Sequence, residues 1–255
     1  MGEAYIIDAV RTPVGRRGGG LAEEHPADLG AHAIKGLIDR VGVDPMTVDD
    51  VIMGCLDNMG PQAGDIARTA WLAAGMPEAI PGVTVDRQCG SGQQAVSFAA
   101  MGVMSGVQDI VVAGGMQNMS LIPIGSAMDV MGHESIGRPD IEDPFSTSKG
   151  WVERYGTQEV SQFRGAELIA KKWDLGRQDL EEFALESHER ASRAQDEGRF
   201  DNEILPYGDV TQDEGVRRGT TLEKMAQLPT LEEGGVITAA VASQISDGAV
   251  ALMVA

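Results

Sequence analysis

One short segment constrains this chain more than any other: Val83-Thr84-Val85-Asp86-Arg87-Gln88-Cys89-Gly90-Ser91-Gly92-Gln93-Gln94-Ala95-Val96. Val83, Thr84 and Val85 read as a buried strand. From Ser91 onward, Ala95, Val96, Phe98, Ala99, Ala100, Met101, Val103 and Met104 are apolar around much of a helix's circumference. The strand runs into the helix through Cys-Gly-Ser-Gly. Glycines on both sides of Ser91 allow a sharp turn and close backbone approach, so the sulfur of Cys89 stands at the helix entrance. A strand turning straight into an apolar helix demands a layered α/β fold with that helix at its centre.

The rest of the chain has the same texture. Residues 4–10 form an apolar run ended by Arg11-Thr12-Pro13, which reads as a buried first strand. The loop Arg16-Arg17-Gly18-Gly19-Gly20 lacks the Gly-Lys-Ser/Thr ending of a phosphate loop and reads as a mobile surface loop. Leu29, Ala33, Ile34, Leu37 and Ile38 mark a helix over residues 27–41. Strands are expected over 48–56, 83–87 and 109–114, and helices over 66–74 and 91–104. This alternation implies a mostly parallel sheet covered on both faces. After Ser120 the chain leaves the sheet. Helices over 160–173 and 178–197 follow, the second with a stripe of Leu180, Phe183, Ala184, Ala191 and Ala194. Residues 236–249 return to small and apolar types, and 249–255 read as a last central strand. An apolar strand at a chain end is unusual and points to a piece of something longer.

Charge narrows the ligand classes. A formal net charge of -19 argues against nucleic acid, which needs a clustered positive surface. An anionic small ligand requires a local basic patch, and Arg217-Arg218 is a candidate, beside the alternative of a solvated loop pair. No run of about 18 apolar residues is present, and the start carries Glu3 in place of lysine or arginine, so a cytoplasmic protein without a membrane anchor is expected. With Cys55 and Cys89 alone, neither a disulfide framework nor a zinc site is expected.

At the helix entrance, unpaired backbone amides and the positive end of the helix dipole favour a thiolate at Cys89. The same amides suit an oxyanion on a neighbouring tetrahedral carbon, the charge that acyl transfer develops. A thiol also exchanges acyl groups with a coenzyme thioester at little free-energy cost. The alternative for a lone cysteine is an inert buried thiol; the turn argues against it for Cys89 and nothing argues against it for Cys55.

With these residues in view, the chain resembles the thiolase family along its whole length. Cys89-Gly90-Ser91-Gly92 is similar to the family's nucleophile motif. Asp8-Ala9-Val10-Arg11-Thr12-Pro13-Val14-Gly15 resembles its first strand and loop, and Gly114-Gly115-Met116-Gln117-Asn118-Met119-Ser120 its glycine-rich turn. Ser243-Gln244-Ile245-Ser246-Asp247-Gly248-Ala249 is similar to its closing motif. The resemblance implies half of a thiolase fold: a five-stranded sheet of order 3-2-1-4-5 covered by helices, with an inserted helical loop domain. The domains expected are 1–120, the insertion 121–235 and the return 236–255, with the C-terminal thiolase domain absent.

The resemblance further implies an acyl-CoA acyltransferase that forms or cleaves 3-ketoacyl-CoA through an acyl-Cys89 intermediate. Gly90 would serve the turn and oxyanion, while Ser243, Arg217 and Ala239 would contact coenzyme A. Coenzyme A and acyl-CoA enter as substrates; no covalently bound cofactor and no metal are implied. Partners would be a second copy, in a dimer or tetramer, and the missing half. The histidine, asparagine and second cysteine of family catalysis lie on that second half; His25, His32, His133 and His188 match none of those motifs. Gln162-Phe163-Arg164-Gly165 stands where many biosynthetic members carry His-Met-Gly, which points away from the short acetoacetyl chain toward a different or bulkier one. Gln117 and Asn118 stand where glutamate and a small residue are usual. The competing readings are a non-catalytic coenzyme A-binding or assembly module and, on the turn alone, a cysteine hydrolase or redox protein.

Overall fold

The last strand decides how the sheet is built. In the computed structural model, which describes residues 2–128 and 144–255, the strands are β1 (Ile6–Arg11), β2 (Gly15–Arg16), β3 (Asp50–Gly54), β4 (Gly82–Val85), β5 (Val111–Asn118) and β6 (Ser246–Val254). Their order is β1-β6-β5-β3-β4, with β2 paired to β6 beside that path. β3 runs parallel to β4 and β5, whereas β6 is antiparallel to β1, β2 and β5. With the two-residue β2 set aside, the chain-order description is 3-2-4-5-1. This corrects the expected 3-2-1-4-5, and the sheet is mixed instead of mostly parallel.

The reason lies in β6. It pairs with β5 from Val111 opposite Val254 to Asn118 opposite Asp247, and its alternating burial places Ala249, Ala251 and Met253 in the core. Occupying the slot between β5 and β1, it leaves β1 at the edge. Ile6 and Ile7 are accordingly exposed, where the apolar run predicts a buried strand. β4 is the opposite edge, and Val83 is likewise exposed.

Two helical layers cover the sheet. On one face α1 (Pro26–Val41) and α2 (Ile66–Ala73) bury Leu29, Ile34, Leu37 and Trp71 against Val51, Met53 and Met253. Each such side chain contributes about 1.5–3 kcal/mol through removal from water. α1 begins on His25, whose Nδ1 accepts the Ala27 N–H at 3.2 Å, and ends on Gly42 in the left-handed conformation. On the other face α3 (Ser91–Ser105) sets Ala95 and Ala99 against Ile52, Val111, Ala113 and Val254. Its outer face is uncovered: Phe98, Met101, Met104 and Val107 are exposed.

The chain forms two compact units. The first comprises Met1–Ala127, Phe200–Gly215 and Ile245–Ala255, and the second Met128–Arg199 and Val216–Gln244. Residues 200–215 join the sheet unit through Arg11, whose guanidinium pairs with Glu203 at 2.8 Å and with both oxygens of Asp213 at 2.6 and 3.0 Å. Glu214 accepts the N–H groups of Arg16 and Gly20 at 3.1 Å. The glycine-rich loop, expected to be mobile, is thereby tied down by a carboxylate.

The second unit contains α4 (Lys149–Tyr155), α5 (Gln162–Lys172), α6 (Arg177–Asp196) and α7 (Leu222–Ala226). α5 and α6 match the expected pair of helices; α4 and α7 are too short to leave a periodic signal. The expected stripe on α6 needs correction. Phe183 is 75% exposed, while Glu181 is buried and receives Arg177 Nε at 2.7 Å. Arg177 also donates to the carbonyls of Met225 and Leu228 at 2.8 Å, so a polar knot and not the phenyl ring fills that position.

Asn118, fully buried at the end of β5, ties the loops above the sheet together. Its Nδ2 faces the carbonyls of Leu21, Ala22 and Glu24 at 2.8–3.2 Å, and its Oδ1 accepts the Leu121 N–H at 2.8 Å. Replacing Asn118 by alanine strands these groups, at about 1–3 kcal/mol for each left unpaired. A thermal or urea melt of Asn118→Ala is expected to show a loss of at least that size; an unchanged midpoint would mean water replaces the amide.

Candidate active site

The turn at Cys89 is held by its own polar atoms. Asp86 Oδ1 accepts the Gln88 N–H at 2.8 Å. Ser91 Oγ accepts the Arg87 N–H at 2.9 Å and donates to Gln88 O at 2.5 Å. Gln88 is left-handed at φ +49°, a conformation that costs an ordinary residue roughly 1–2 kcal/mol. The sequence places the demand for unusual backbone on the glycines, yet Gly90 has φ -89°. The strain sits on the residue immediately before Cys89, where surrounding hydrogen bonds over-determine it.

The glycines serve close approach instead. A Cβ on Gly54, at the end of β3, would overlap Gly92 N and Ser91 C. One on Gly115 would lie 3.0 Å from Gly54 O and 3.6 Å from Gly92 Cα. The first turn of α3 therefore rests directly on the backbone of β3 and β5. In that turn Ser91 N–H is taken by Gln88 O and Gln94 N–H by Gly90 O. Gly92 and Gln93 remain as first-turn amides without a partner among the described residues. Gly90, expected to help hold an oxyanion, has its N–H taken by Arg87 O at 3.0 Å.

Cys89 is exposed and free at this position. Cys55 is the opposite case: buried behind the turn, its thiol is pushed up to about 12 by burial and then by the charges of Asp86 and Asp57. Beside Cys55 lies Gln117, whose amide grips Leu56 from both ends. Oε1 accepts the Leu56 N–H and Nε2 donates to Leu56 O, each at 3.1 Å. A carboxylate could accept but not donate there, which explains glutamine at this place in the turn. Gln62 extends the network, donating to Leu56 O and Asp57 O at 3.1 and 3.0 Å and accepting the Asn118 N–H at 3.0 Å. Sequence reasoning missed Gln62, because nothing in its neighbours marks it as buried.

None of the described histidines hydrogen-bonds Cys89. His25 caps α1, and His32 stacks edge-on against Tyr207 with ring centroids 5.1 Å apart. His188 belongs to the second unit, and His133 lies outside the described residues.

The other expected site residues lie in the second unit. Arg217 and Ala239 meet in one open pocket of about 480 Å³, together with His188, Arg218, Thr220 and Lys224. Ser243 is exposed between two lining residues, Ala242 and Gln244, and is not part of the wall. The two arginines differ. Arg218 binds Asp196 at 2.9 Å and Gln195 at 3.1 Å, and that hydrogen bond holds the Asp196 carboxyl below its ordinary range. The Arg217 guanidinium has no partner among the described residues, so it is the cation available to a ligand.

The model of the thiolase N-terminal domain matches residues 4–255. Steroid 3-ketoacyl-CoA thiolase FadA6 of Mycobacterium tuberculosis is 59% identical over 259 residues, covering 100% of this chain and 62% of that protein. 3-Oxoadipyl-CoA/3-oxo-5,6-dehydrosuberyl-CoA thiolase of Escherichia coli is 37% identical over 273 residues, covering 100% of this chain and 66% of the relative. Beta-ketoadipyl-CoA thiolase of Pseudomonas aeruginosa is 39% identical over 272 residues, at 99% and 66% coverage. The chain thus spans less than two thirds of the length of these relatives.

Two outcomes follow from the geometry. Gly54→Ala forces backbone apart beneath Cys89 and is expected to destabilise by about 1–3 kcal/mol, as overpacking does, in a denaturant titration. A midpoint within error of the parent would show that the contact yields freely. Brief treatment with iodoacetamide is expected to alkylate Cys89 in the native protein and Cys55 only after unfolding, as read by peptide mass mapping; equal labelling would contradict the burial of Cys55.

Proposed function

The chain belongs to the thiolase family, and on that footing we propose that it carries the nucleophile of an acyl-CoA acyltransferase. The observation that supports this most directly is the exposed, free Cys89 at the N-terminal end of α3, on a turn fixed by Asp86 and Ser91. The Cys89 thiolate attacks the keto carbonyl of a 3-ketoacyl-CoA, forming the S–C bond and a tetrahedral oxyanion. Collapse of the oxyanion breaks the bond between the keto and α carbons. The departing carbanion takes a proton from the second cysteine that the other thiolase half would supply and becomes acetyl-CoA, and the shortened acyl group remains on Cys89 as a thioester. The thiolate of a second coenzyme A then takes that group and returns Cys89 to its starting form. Synthesis is the reverse sequence.

In this reading the first turn of α3 stabilises negative charge at the sulfur and the oxyanion through its dipole, with Gly92 and Gln93 as the open amides. The second-unit pocket holds the anionic coenzyme, with Arg217 as its free cation. The 59% identical relative is named for steroid 3-ketoacyl-CoA, and we extend to this chain a bulky, ring-bearing acyl group. The exposed outer face of α3 supports a covering partner, a second copy or the second thiolase half. A cytoplasmic setting belongs to the same reading; among the described residues no helix is long and apolar enough to cross a membrane.

None of the described histidines reaches Cys89, so among the described residues no histidine acts as general base for its thiol. Absence of such a base slows turnover by about 10² to 10⁴. Intact-mass spectrometry after incubation with acetyl-CoA, beside Cys89→Ser, is expected to show one acetyl adduct on the parent chain and none on the variant. If neither chain is modified at high acyl-CoA, the nucleophile reading of the isolated chain fails, and a non-catalytic coenzyme-binding module stands in its place.

A further inference from the structure

The loop that carries Arg217 is anchored by a contact that charge attraction does not explain. The Arg217 backbone N–H donates to His188 Nδ1 on α6 at 3.2 Å. Only an imidazole without a proton on Nδ1 accepts such a bond, so His188 is held neutral with its proton on Nε2. The ring is half-buried and lines the same pocket as Arg217, Arg218 and Lys224. Burial, and then the Arg217 charge, hold this histidine below its ordinary value, in agreement with the geometry.

We propose that neutral His188 is a positioning residue for the coenzyme pocket. By gripping the Arg217 backbone it fixes the arginine loop, and protonation releases that grip and weakens coenzyme binding in acid. The inference rests on the coenzyme reading of this pocket. The charged groups around the imidazole are Glu189, Arg193, Asp196 and Glu197 on α6, Arg217 and Arg218 on the loop, and Lys224 on α7. Asp196 is engaged by Arg218, and Lys224 Nζ donates to Gly219 O at 2.7 Å. Protonation of Nδ1 would set two donors against each other at 3.2 Å and place a second cation beside Arg217. An added positive charge also attracts a phosphate lying inside the Debye length of about 8 Å, but it acts on the ligand through an open, wet pocket, whereas the donor clash at contact moves the backbone that carries Arg217. The clash is taken as the larger effect, and coenzyme binding that strengthens in the parent relative to His188→Asn on acidification would overturn it.

The sign for folding is the same. The histidine is lowered in the native state, so the unfolded chain takes the proton first. Stability is intact above the ordinary histidine value of 6.5 and falls as pH drops through it.

The test titrates coenzyme A calorimetrically into the parent chain, His188→Asn and His188→Leu from about pH 5.5 to about pH 8, the range over which histidine switches. Asparagine offers an acceptor near the position of Nδ1 and does not titrate; leucine keeps the bulk and removes the acceptor. The leucine variant is expected to bind about 3- to 10-fold more weakly near neutral pH, the loss of one hydrogen bond, and asparagine to restore most of the affinity. The 3′-phosphate of coenzyme A loses charge in the same window for every variant, so the ratio of parent to asparagine variant is the reading. It is expected to fall severalfold on acidification. In ligand-free protein the Arg217 amide resonance should follow the imidazole titration in the parent and stay flat in His188→Asn. A pH-independent ratio with a leucine variant that binds like the parent overturns the inference and leaves the coenzyme reading intact. A parent chain that binds no coenzyme A while its Arg217 amide still follows His188 supports the anchoring of the loop and overturns the coenzyme reading of the pocket.

Discussion

The contact on which the rest of the first unit depends is that of the first turn of α3 with the end of β3. Backbone meets backbone there because Gly54 carries no side chain to hold the layers apart. Gly114 and Gly115 allow close approach within the sheet itself, where a Cβ on Gly114 would overlap Val250 O of β6 and one on Gly115 would crowd Gly54 O of β3. Bringing the helix this low sets its N-terminus at the rim of the sheet. The turn between β4 and α3 must then close in the five residues 86–90, and Gln88 takes a left-handed conformation to do so. Cys89 is exposed as a consequence of that geometry. Cys55, one residue beyond the end of β3, lies beneath it and is shut away with its thiol pushed up to about 12. The same side chain is thus buried on one side of a single backbone contact and exposed on the other.

The acidic composition has a structural use that a net charge of -19 does not reveal. Several carboxylates accept backbone N–H groups of loops. Asp57 takes those of Gly125 and Ala127, Asp49 those of Asp109 and Ile110, Glu214 those of Arg16 and Gly20, and Glu167 those of Val236 and Ile237. Charge-assisted bonds of this kind are stronger than neutral ones. They fasten segments that have no strand or helix to complete their hydrogen bonding. In the second unit Arg177 and Arg218 are likewise committed, to Glu181 and Asp196, whereas Arg217, which lines the same pocket as Arg218, has no carboxylate partner among the described residues.

Much of this was legible from sequence because local patterns carried it. Helix α1 announces itself by the spacing of Leu29, Ile34, Leu37 and Ile38, and the turn at Cys89 by a strand followed within a few residues by a glycine-flanked serine and an apolar helix. The strand order was not legible. β1 and β6 are similar apolar runs, and no local signal says which one occupies the central slot; pairing across most of the chain length decides it. The polarity of buried positions was hidden for the same reason. Gln62, Gln117 and Asn118 look like loop residues, and their importance comes from carbonyls that are distant in sequence. Phe183 shows the converse, an apolar residue at helical spacing that the fold leaves exposed because Arg177 and Glu181 satisfy the position beside it.

Helix α3 links the proposed nucleophile to whatever covers the chain. Its inner face is small, Ala95 and Ala99, so that the helix can lie close to the sheet, and its outer face is large, Phe98, Met101 and Met104. Gly2 donates its N–H to Met104 O at 3.3 Å, which brings the N-terminal segment, with Tyr5, Ile6 and Ile7 exposed, toward the same end of the helix. An apolar surface of this kind gains by leaving water. Covering it also removes solvent from one side of α3, and the field of a helix terminus is stronger where less water screens it. In the proposed reading, activation of the Cys89 thiol and burial of the outer face are therefore coupled through a single helix, and a chain with its outer face wet keeps the geometry of the turn with less electrostatic support for it.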